Sequence, residues 1–250
     1  MWLHSYLSDD DWKSLDDSAA KAGGATAGVN WVHAWVGKVG RIGNLGKIVG
    51  LVMASTQTVP LTAVWMLYLV RQHDEVRVKL EEELRRNGIE DGPRDLTYEK
   101  LNDPSGLVYV EAVVRETLRL FPPFPLIQRE TQADDTLGGK TIPAGMIVYV
   151  VPWLVHHNEA FFKEADSFRP ERFLGEKGIA AHADASSDRL YVPFGRGVRM
   201  CAGSKLALAD IKVLLVNAVV GGGWTSEWVG SEGDVPELGM APWGVRVRFK

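Results

Sequence analysis

Residues 48–70, IVGLVMASTQTVPLTAVWMLYLV, carry no charge over 23 positions. That is long enough for an apolar helix to cross a bilayer. Ser55, Thr56, Gln57, Thr58 and Pro60 nevertheless place a polar, kink-prone patch at its centre. Such a patch in an uncharged helix marks a buried helix passing a site, so the segment is read as a core helix. RQHDEVRVKLEEELRR follows, with Val76, Val78, Leu80 and Leu84 as its apolar positions. It predicts a solvated helix ending at Asn87–Gly88. SGLVYVEAVVRETLRLF predicts an amphipathic helix stopped by Pro122 and Pro123. Strand signals come next: PLIQRET, a hairpin across Gly138 and Gly139, then MIVYVVP.

A loop-rich stretch from about residue 155 to 192 leads into CAGSKLALADIKVLLV. This run reads as a helix burying Leu206, Leu208, Ile211, Val213 and Leu214. GGG at 221–223 ends it, and the alternating GVRVRF at 244–249 reads as a strand. The first 30 residues are polar and small, with AAKAGGATAG as a flexible connector. The sum is a mainly α fold with a minor β-sheet. Residues 1–39 form a polar N-terminal segment, and residues 40–250 form the folded region.

Composition narrows the function. Apolar residues make up 46% and charged residues 24% of the 250, the balance of an ordinary globular protein with material for a core. A net charge of −4 without any long basic block leaves no electrostatic footprint for nucleic acid. One cysteine excludes an internal disulfide framework and suits a reducing compartment. Acids in MWLHSYLSDDDWKSLDD occupy the place where a secretory signal needs an apolar core.

The single cysteine lies in PFGRGVRMCAG, residues 193–203. Gly195, Gly197 and Gly203 describe a tightly curled loop, because glycine goes where backbone turns with positive φ or approaches another body closely. A plain surface turn would use the same glycines. Cys201, however, stands just before a helix, where the positive end of the helix dipole stabilises a thiolate. A thiolate held there is a metal ligand or a nucleophile.

Elsewhere, Glu116 and Arg119 lie at i and i+3 and share a helix face. Such a pair alone is usually a surface salt bridge of little energetic weight. FRPERF at 168–173 adds Arg172 as a second cation. E-T-L-R at 116–119, F-R-P-E-R-F at 168–173 and F-G-x-G-x-R-x-C-x-G at 194–203, in this order, resemble the cytochrome P450 family. The cysteine loop matches at all six fixed positions: Phe194, Gly195, Gly197, Arg199, Cys201 and Gly203. At average residue frequencies such a match arises by chance on the order of 10⁻⁵.

The resemblance implies a cytochrome P450-like fold over residues 40–250, incomplete and corresponding to its C-terminal half. It implies Cys201 as the axial ligand of a haem b (iron protoporphyrin IX) iron. Phe194 would shield the sulfur, and Gly195 and Gly203 would let backbone approach it. Arg199 and Arg129 would pair with haem propionates. Glu116, Arg119 and Arg172 would form a buried charge network that holds the loop region. The uncharged helix would pass over the oxygen face of haem, where the family pattern reads A-G-x-acid-T.

Here that pattern is Ala54, Ser55, Thr56, Gln57, Thr58. Thr58 keeps the hydroxyl, while Gln57 stands where an acid is usual, and an amide exchanges no proton near neutral pH. Ala54, Thr58, Phe124, Leu126 and Ile127 are the substrate-facing candidates. The implied activity is monooxygenation of a small apolar organic substrate with O2 and electrons from an NADPH-dependent or ferredoxin-type reductase. Gln57 keeps open a haem-thiolate isomerase or dehydratase, and chain length keeps open a truncated, non-enzymatic relative. The implied location is intracellular, either cytoplasmic or membrane-associated through a segment outside this chain. His156 and His157 lack Cys, Asp or Glu partners at metal-ligand spacing, and by resemblance they are structural or surface groups.

Overall fold

A computed structural model describes residues 44–103, 105–174, 190–229 and 245–249. The polar segment expected at 1–39 and part of the loop-rich stretch lie outside the described residues. The chain divides into two compact units, Met1–Gln57 and Thr58–Lys250.

Helix α1 spans Asn44–Gln72 with Pro60 inside it. It is long and apolar enough to cross a membrane by length and composition, over Gly50–Gln72. In the second unit its burial begins at Thr62 and includes Ala63, Trp65, Met66, Leu67, Leu69 and Val70. The core-helix expectation therefore holds for this half. Leu51 and Val52, in the first unit, are exposed. The hydroxyls of the central patch are turned back onto the helix, Ser55 Oγ donating to the Val52 carbonyl at 3.0 Å and Thr56 Oγ1 to that of Met53 at 3.2 Å.

Helix α2 (Asp74–Arg86) has acids in its first turn and arginines in its last, complementing its dipole. It ends at Asn87 and Gly88, as its sequence predicts, with Gly88 at φ +62°. After the short α3 (Tyr98–Asn102), helix α4 runs Val108–Leu120. Eleven of its 13 residues are buried, charged Glu111, Glu116 and Arg119 among them. Strands β1 (Ile127–Glu130) and β4 (Ile147–Val150) pair antiparallel, with Arg129 opposite Val148. Between them β2 (Asp135–Leu137) and β3 (Lys140–Ile142) form the expected hairpin. Gly138 and Gly139 at its tip have φ of +58° and +78°, the two consecutive left-handed residues a type I′ turn requires.

Helix α5 (Pro152–His156) and a 3₁₀ turn at Pro170–Phe173 pack on α4. Helix α6 (Ser204–Gly221) is closed by Gly222, whose φ of +60° lets its amide reach the Ala218 and Val219 carbonyls. Strand β5 (Trp224–Trp228) pairs with β6 (Val245–Phe249). β6 is the expected GVRVRF strand. The segment WTSEW offers little local β signal beyond its aromatic ends, and its strand state follows from having β6 as a partner.

The core joins the apolar stripes of four helices. Met66 and Val70 come from α1, Val76, Leu80 and Leu84 from α2, Val110, Val113, Val114 and Leu118 from α4, and Ile211, Leu215, Val216 and Val219 from α6. Trp65 stacks on Phe121, rings 3.9 Å apart and 6° from parallel, joining α1 to the end of α4. Trp224 donates its indole N–H to the Leu67 carbonyl at 3.2 Å, which ties β5 to α1. Two positions depart from the predicted stripe of α6: Leu206 is 65% and Leu214 43% exposed. The buried side of α6 runs instead through Ile211, Leu215, Val216, Ala218 and Val219. Helical spacing selects a face only when one face alone is apolar, and α6 is apolar nearly all round.

The start of α4 depends on a carboxylate from α2. Glu83, buried, accepts from the Tyr109 amide at 2.7 Å and the Val110 amide at 2.8 Å. It thus satisfies two of the amides that a helix N-terminus leaves without partners. Burial pushes the Glu83 carboxyl above its ordinary range, and these two amides pull it back. Glu83→Ala is expected to lower unfolding stability by about 2–4 kcal/mol, because two buried amides lose a charged acceptor. Glu83→Gln keeps one amide oxygen as acceptor and is expected to lose less than half of that, read by urea or thermal unfolding.

Candidate functional site

The buried pair on α4 organises the surrounding loops. Arg119 meets Glu116 with a two-pronged contact, Nε to Oε2 at 2.8 Å and Nη2 to Oε1 at 2.8 Å. Both side chains are fully buried. Every guanidinium nitrogen is used: Nη1 donates to the carbonyls of His156 at 2.7 Å and Ala165 at 2.6 Å, and Nη2 also to Ser167 at 3.2 Å. Glu116 Oε1 further accepts from Arg172 Nε at 2.9 Å and the Arg169 amide at 2.9 Å. Arg172 reaches on to the carbonyls of Lys163, Glu164 and Ser167. The three residues proposed from sequence are therefore in direct contact. A planar five-donor guanidinium suits this work because it can gather carbonyls from several loops at once.

The cysteine loop is closed on itself by backbone bonds. The Gly195 amide donates to Val192 at 3.0 Å, that of Met200 to Gly197 at 3.0 Å, and that of Cys201 to Phe194 at 2.9 Å. Gly195 and Gly197 have φ of +71° and +75°, conformations in which a side chain is strained. Gly203 differs from the expectation for it. Its φ is −88° as the cap of α6, so its backbone does not call for glycine, and an added Cβ would lie 3.9 Å from Cys201 Sγ.

Cys201 is exposed, and so are its apolar neighbours Val198 and Met200. Phe194 is partly buried and packs against the core, which anchors the loop from below. A Cβ on Gly195 would lie 3.6 Å from Ile127 Cδ1, so the loop abuts β1. β1 also carries Arg129, exposed, with Nη1 donating to the Gln128 carbonyl at 2.8 Å. Arg199 is exposed on the 3₁₀ turn Gly197–Arg199. Phe124 and Leu126, on the approach to β1, are exposed, and Ile127 is half-buried.

These features fit a haem. One sulfur donor stands open beside apolar side chains on a loop closed by its own backbone bonds, and guanidinium groups lie on that loop and on the strand it touches. Among the described residues no cluster of three or more His, Cys, Asp or Glu offers a rival metal site. Cys201, Arg199 and Arg129 would hold the group. Thr58, half-buried, opens the second unit on α1. Ala54 and Gln57 belong to the first unit and are exposed along the same helix.

Buried Glu83 escaped the sequence reading, and His156 was read there only as a structural or surface group. Glu83 was legible in principle, because it shares the apolar face of Val76 and Leu80 seven and three residues earlier. His156 left no comparable trace, as its partners are 36 and 37 residues away in sequence. It is wholly buried, its Nε2 accepts from the Val192 amide at 3.1 Å, and its Nδ1 lies 3.1 Å from the Arg119 carbonyl. An amide can only donate, so the proton sits on Nδ1 and is given to Arg119. Burial lowers the imidazole to about 4, with the Arg119 guanidinium and His157 acting in the same direction. The ring is therefore neutral at neutral pH.

Comparison with known proteins places the chain in a family. Residues 45–219 match the family model described as Cytochrome P450. The chain is 38% identical over 149 residues to the probable cytochrome P450 4d20 of Drosophila melanogaster, covering 60% of this chain and 28% of that protein. It is 36% identical over 160 residues to steroid 17-alpha-hydroxylase/17,20 lyase of Squalus acanthias, 63% of this chain and 30% of the relative. It is 33% identical over 180 residues to cyclooctat-9-en-7-ol 5-monooxygenase of Streptomyces melanosporofaciens, 72% of this chain and 36% of the relative. This chain belongs to the cytochrome P450 family, a family of haem-thiolate monooxygenases. It spans about a third of the length of the curated relatives it matches.

Glu116→Ala leaves Arg119 buried without its counter-charge, so it is expected to cost about 3–5 kcal/mol. Urea unfolding should show the loss, with a parallel fall in the folded protein recovered. A variant that folds as well as the parent and differs only in turnover would contradict a structural role.

Proposed function

We propose that the protein is a haem-thiolate monooxygenase that binds haem b and inserts one atom of O2 into a small apolar organic substrate. Electrons would come from a reductase of the NADPH-dependent or ferredoxin type. The observation that carries this reading is the exposed Cys201 on a loop matching the family at every fixed position, set against the strand that bears Arg129. Haem ligated by a thiolate supplies a redox-active iron toward which the sulfur pushes electron density, favouring O–O cleavage.

The chain's own residues have simpler tasks. Cys201 donates the thiolate, and Phe194 anchors its loop on the core. Arg199 and Arg129 neutralise the two propionates. Phe124, Leu126 and Ile127 offer the apolar surface that selects an apolar substrate. Thr58 holds a proton on its hydroxyl and passes it on through water. Gln57 beside it orients that water through its amide but releases no proton.

Cys201→Ser should abolish the red-shifted Soret band of the reduced, CO-treated protein, which the parent should show. An unchanged band in the variant would remove Cys201 as the ligand.

Gln57 also favours a second reading, an isomerase or dehydratase on the same haem thiolate, which needs no proton relay for oxygen. Turnover without O2 or NADPH would select it. For a monooxygenase, slow proton delivery should release reduced oxygen as peroxide and leave much NADPH consumption uncoupled from product. Gln57→Glu supplies an acid with an unperturbed pKa of about 4.3 and is expected to raise product formed per NADPH. Thr58→Ala should lower that ratio below the parent's. Tight coupling in the parent, unchanged by Gln57→Glu, would refute this account of the position.

A further inference from the structure

His156 joins the Arg119 network to the start of the cysteine loop, alongside the Tyr191 hydroxyl, which donates to the Arg115 carbonyl at 3.1 Å. On one side stands the Arg119 carbonyl, whose residue is locked by Glu116 and by three loop carbonyls. On the other stands the Val192 amide, and the Val192 carbonyl in turn receives the Gly195 amide at 3.0 Å. That turn delivers Phe194, whose carbonyl receives the amide of Cys201 at 2.9 Å. The imidazole is itself clamped. Tyr191 stacks on it at 5.6 Å and 26°, Phe162 meets it edge-on at 6.0 Å, and its own carbonyl accepts from Arg119 Nη1 at 2.7 Å.

We propose that His156 is a positioning residue for Cys201: its ring carries the fixed geometry of the Glu116–Arg119 pair, through the Arg119 carbonyl, to the Val192 amide where the cysteine loop begins. The inference rests on reading Cys201 as the haem ligand. It assigns to one histidine a task that bulk packing cannot perform, because the ring must donate at one nitrogen and accept at the other simultaneously. A neutral imidazole with its proton on Nδ1 does both, and no other uncharged side chain spans the two partners with that polarity. The spacing of its nitrogens sets where the loop enters, and the three backbone bonds within the loop transmit that position to the sulfur.

Two amides separate the two halves of the task. The Gln side-chain oxygen reaches the place of Nε2 and can accept from Val192, whereas the Asn side-chain nitrogen reaches the place of Nδ1 and serves only the Arg119 carbonyl. The experiment compares the parent, His156→Gln and His156→Asn by amide hydrogen exchange in the chain as purified and by CO difference spectra after haem loading. His156→Asn should speed exchange at Val192, Gly195 and Cys201 by about five- to tenfold, the factor that one net hydrogen bond represents. It should also reduce the fraction of haem showing the red-shifted thiolate band. His156→Gln keeps the acceptor for Val192 but loses the bond to Arg119, so it should fall between the parent and His156→Asn in exchange and in thiolate band.

Equal behaviour of the two variants would overturn the proposal, since a ring that merely fills space is lost in both. Failure of His156→Gln to fold would overturn it as well. A parent without any thiolate band would instead sink the haem-ligand reading, and the exchange comparison would still decide whether His156 sets the loop.

Discussion

The contact between Glu116 and Arg119 is the constraint on which the rest of this structure depends. Two opposite charges placed in a protein interior cost several kcal/mol each in lost hydration, and their mutual attraction offsets this only with excellent geometry and complete hydrogen bonding. Both conditions hold here. The guanidinium makes two bonds to the carboxylate and three to loop carbonyls, and the carboxylate takes two further donors from the Arg169–Arg172 turn. A pair that must be fully satisfied admits few arrangements of the chain around it. The segments at His156, Ala165, Ser167 and Arg169 are held where they are because the pair needs their polar atoms.

Helix α4 is the means by which that constraint reaches the whole second unit. Its amphipathic pattern seats Val110, Val113, Val114 and Leu118 in the core beside α1, α2 and α6. Charges from two other helices tie down its first turn. Glu83 caps its first turn. Lys212 of α6 pairs with Glu111 and also donates to the Leu101 carbonyl at 3.2 Å. Apolar burial supplies most of the driving force, while these directional contacts choose one packing among several that would bury similar area. The cysteine loop benefits indirectly. Its backbone bonds fix its internal shape, and its contacts through Phe194, Ile127 and His156 fix where that shape is held.

The exposed side chains complete the picture. Val198 at 103% and Leu206 at 65% exposure flank an open cysteine, and Phe124 and Leu126 are exposed before β1. Soluble proteins seldom leave apolar surface of this kind uncovered without a partner for it. A flat, apolar cofactor with anionic edges suits such surroundings, since the loop offers sulfur and apolar contacts while Arg199 and Arg129 offer charge. This is the same chemistry that the family relationship implies, reached from the surface of the chain.

Much of the fold was legible locally. Pro122 and Pro123 stop α4, Gly138 and Gly139 turn a hairpin, and Gly222 closes α6, because each acts through the conformational limits of its own backbone. The F-G-x-G-x-R-x-C-x-G pattern marked the loop for the same reason, and the helical spacing of Glu116 and Arg119 made their pairing available before any tertiary contact was known. What lay beyond the sequence depends on partners far along the chain. Leu206 and Leu214 have the same hydrophobicity as Leu215, and only the placement of α6 against α4 decides which is buried. WTSEW is a strand because β6 lies beside it. His156, one of two adjacent histidines, acquires its role from Arg119 and Val192, neither of them a sequence neighbour. Local chemistry determined where the chain turns, stops and exposes a sulfur; the tertiary structure decided which polar atoms meet, because a hydrogen bond needs its partner within about 3 Å whatever the distance in sequence.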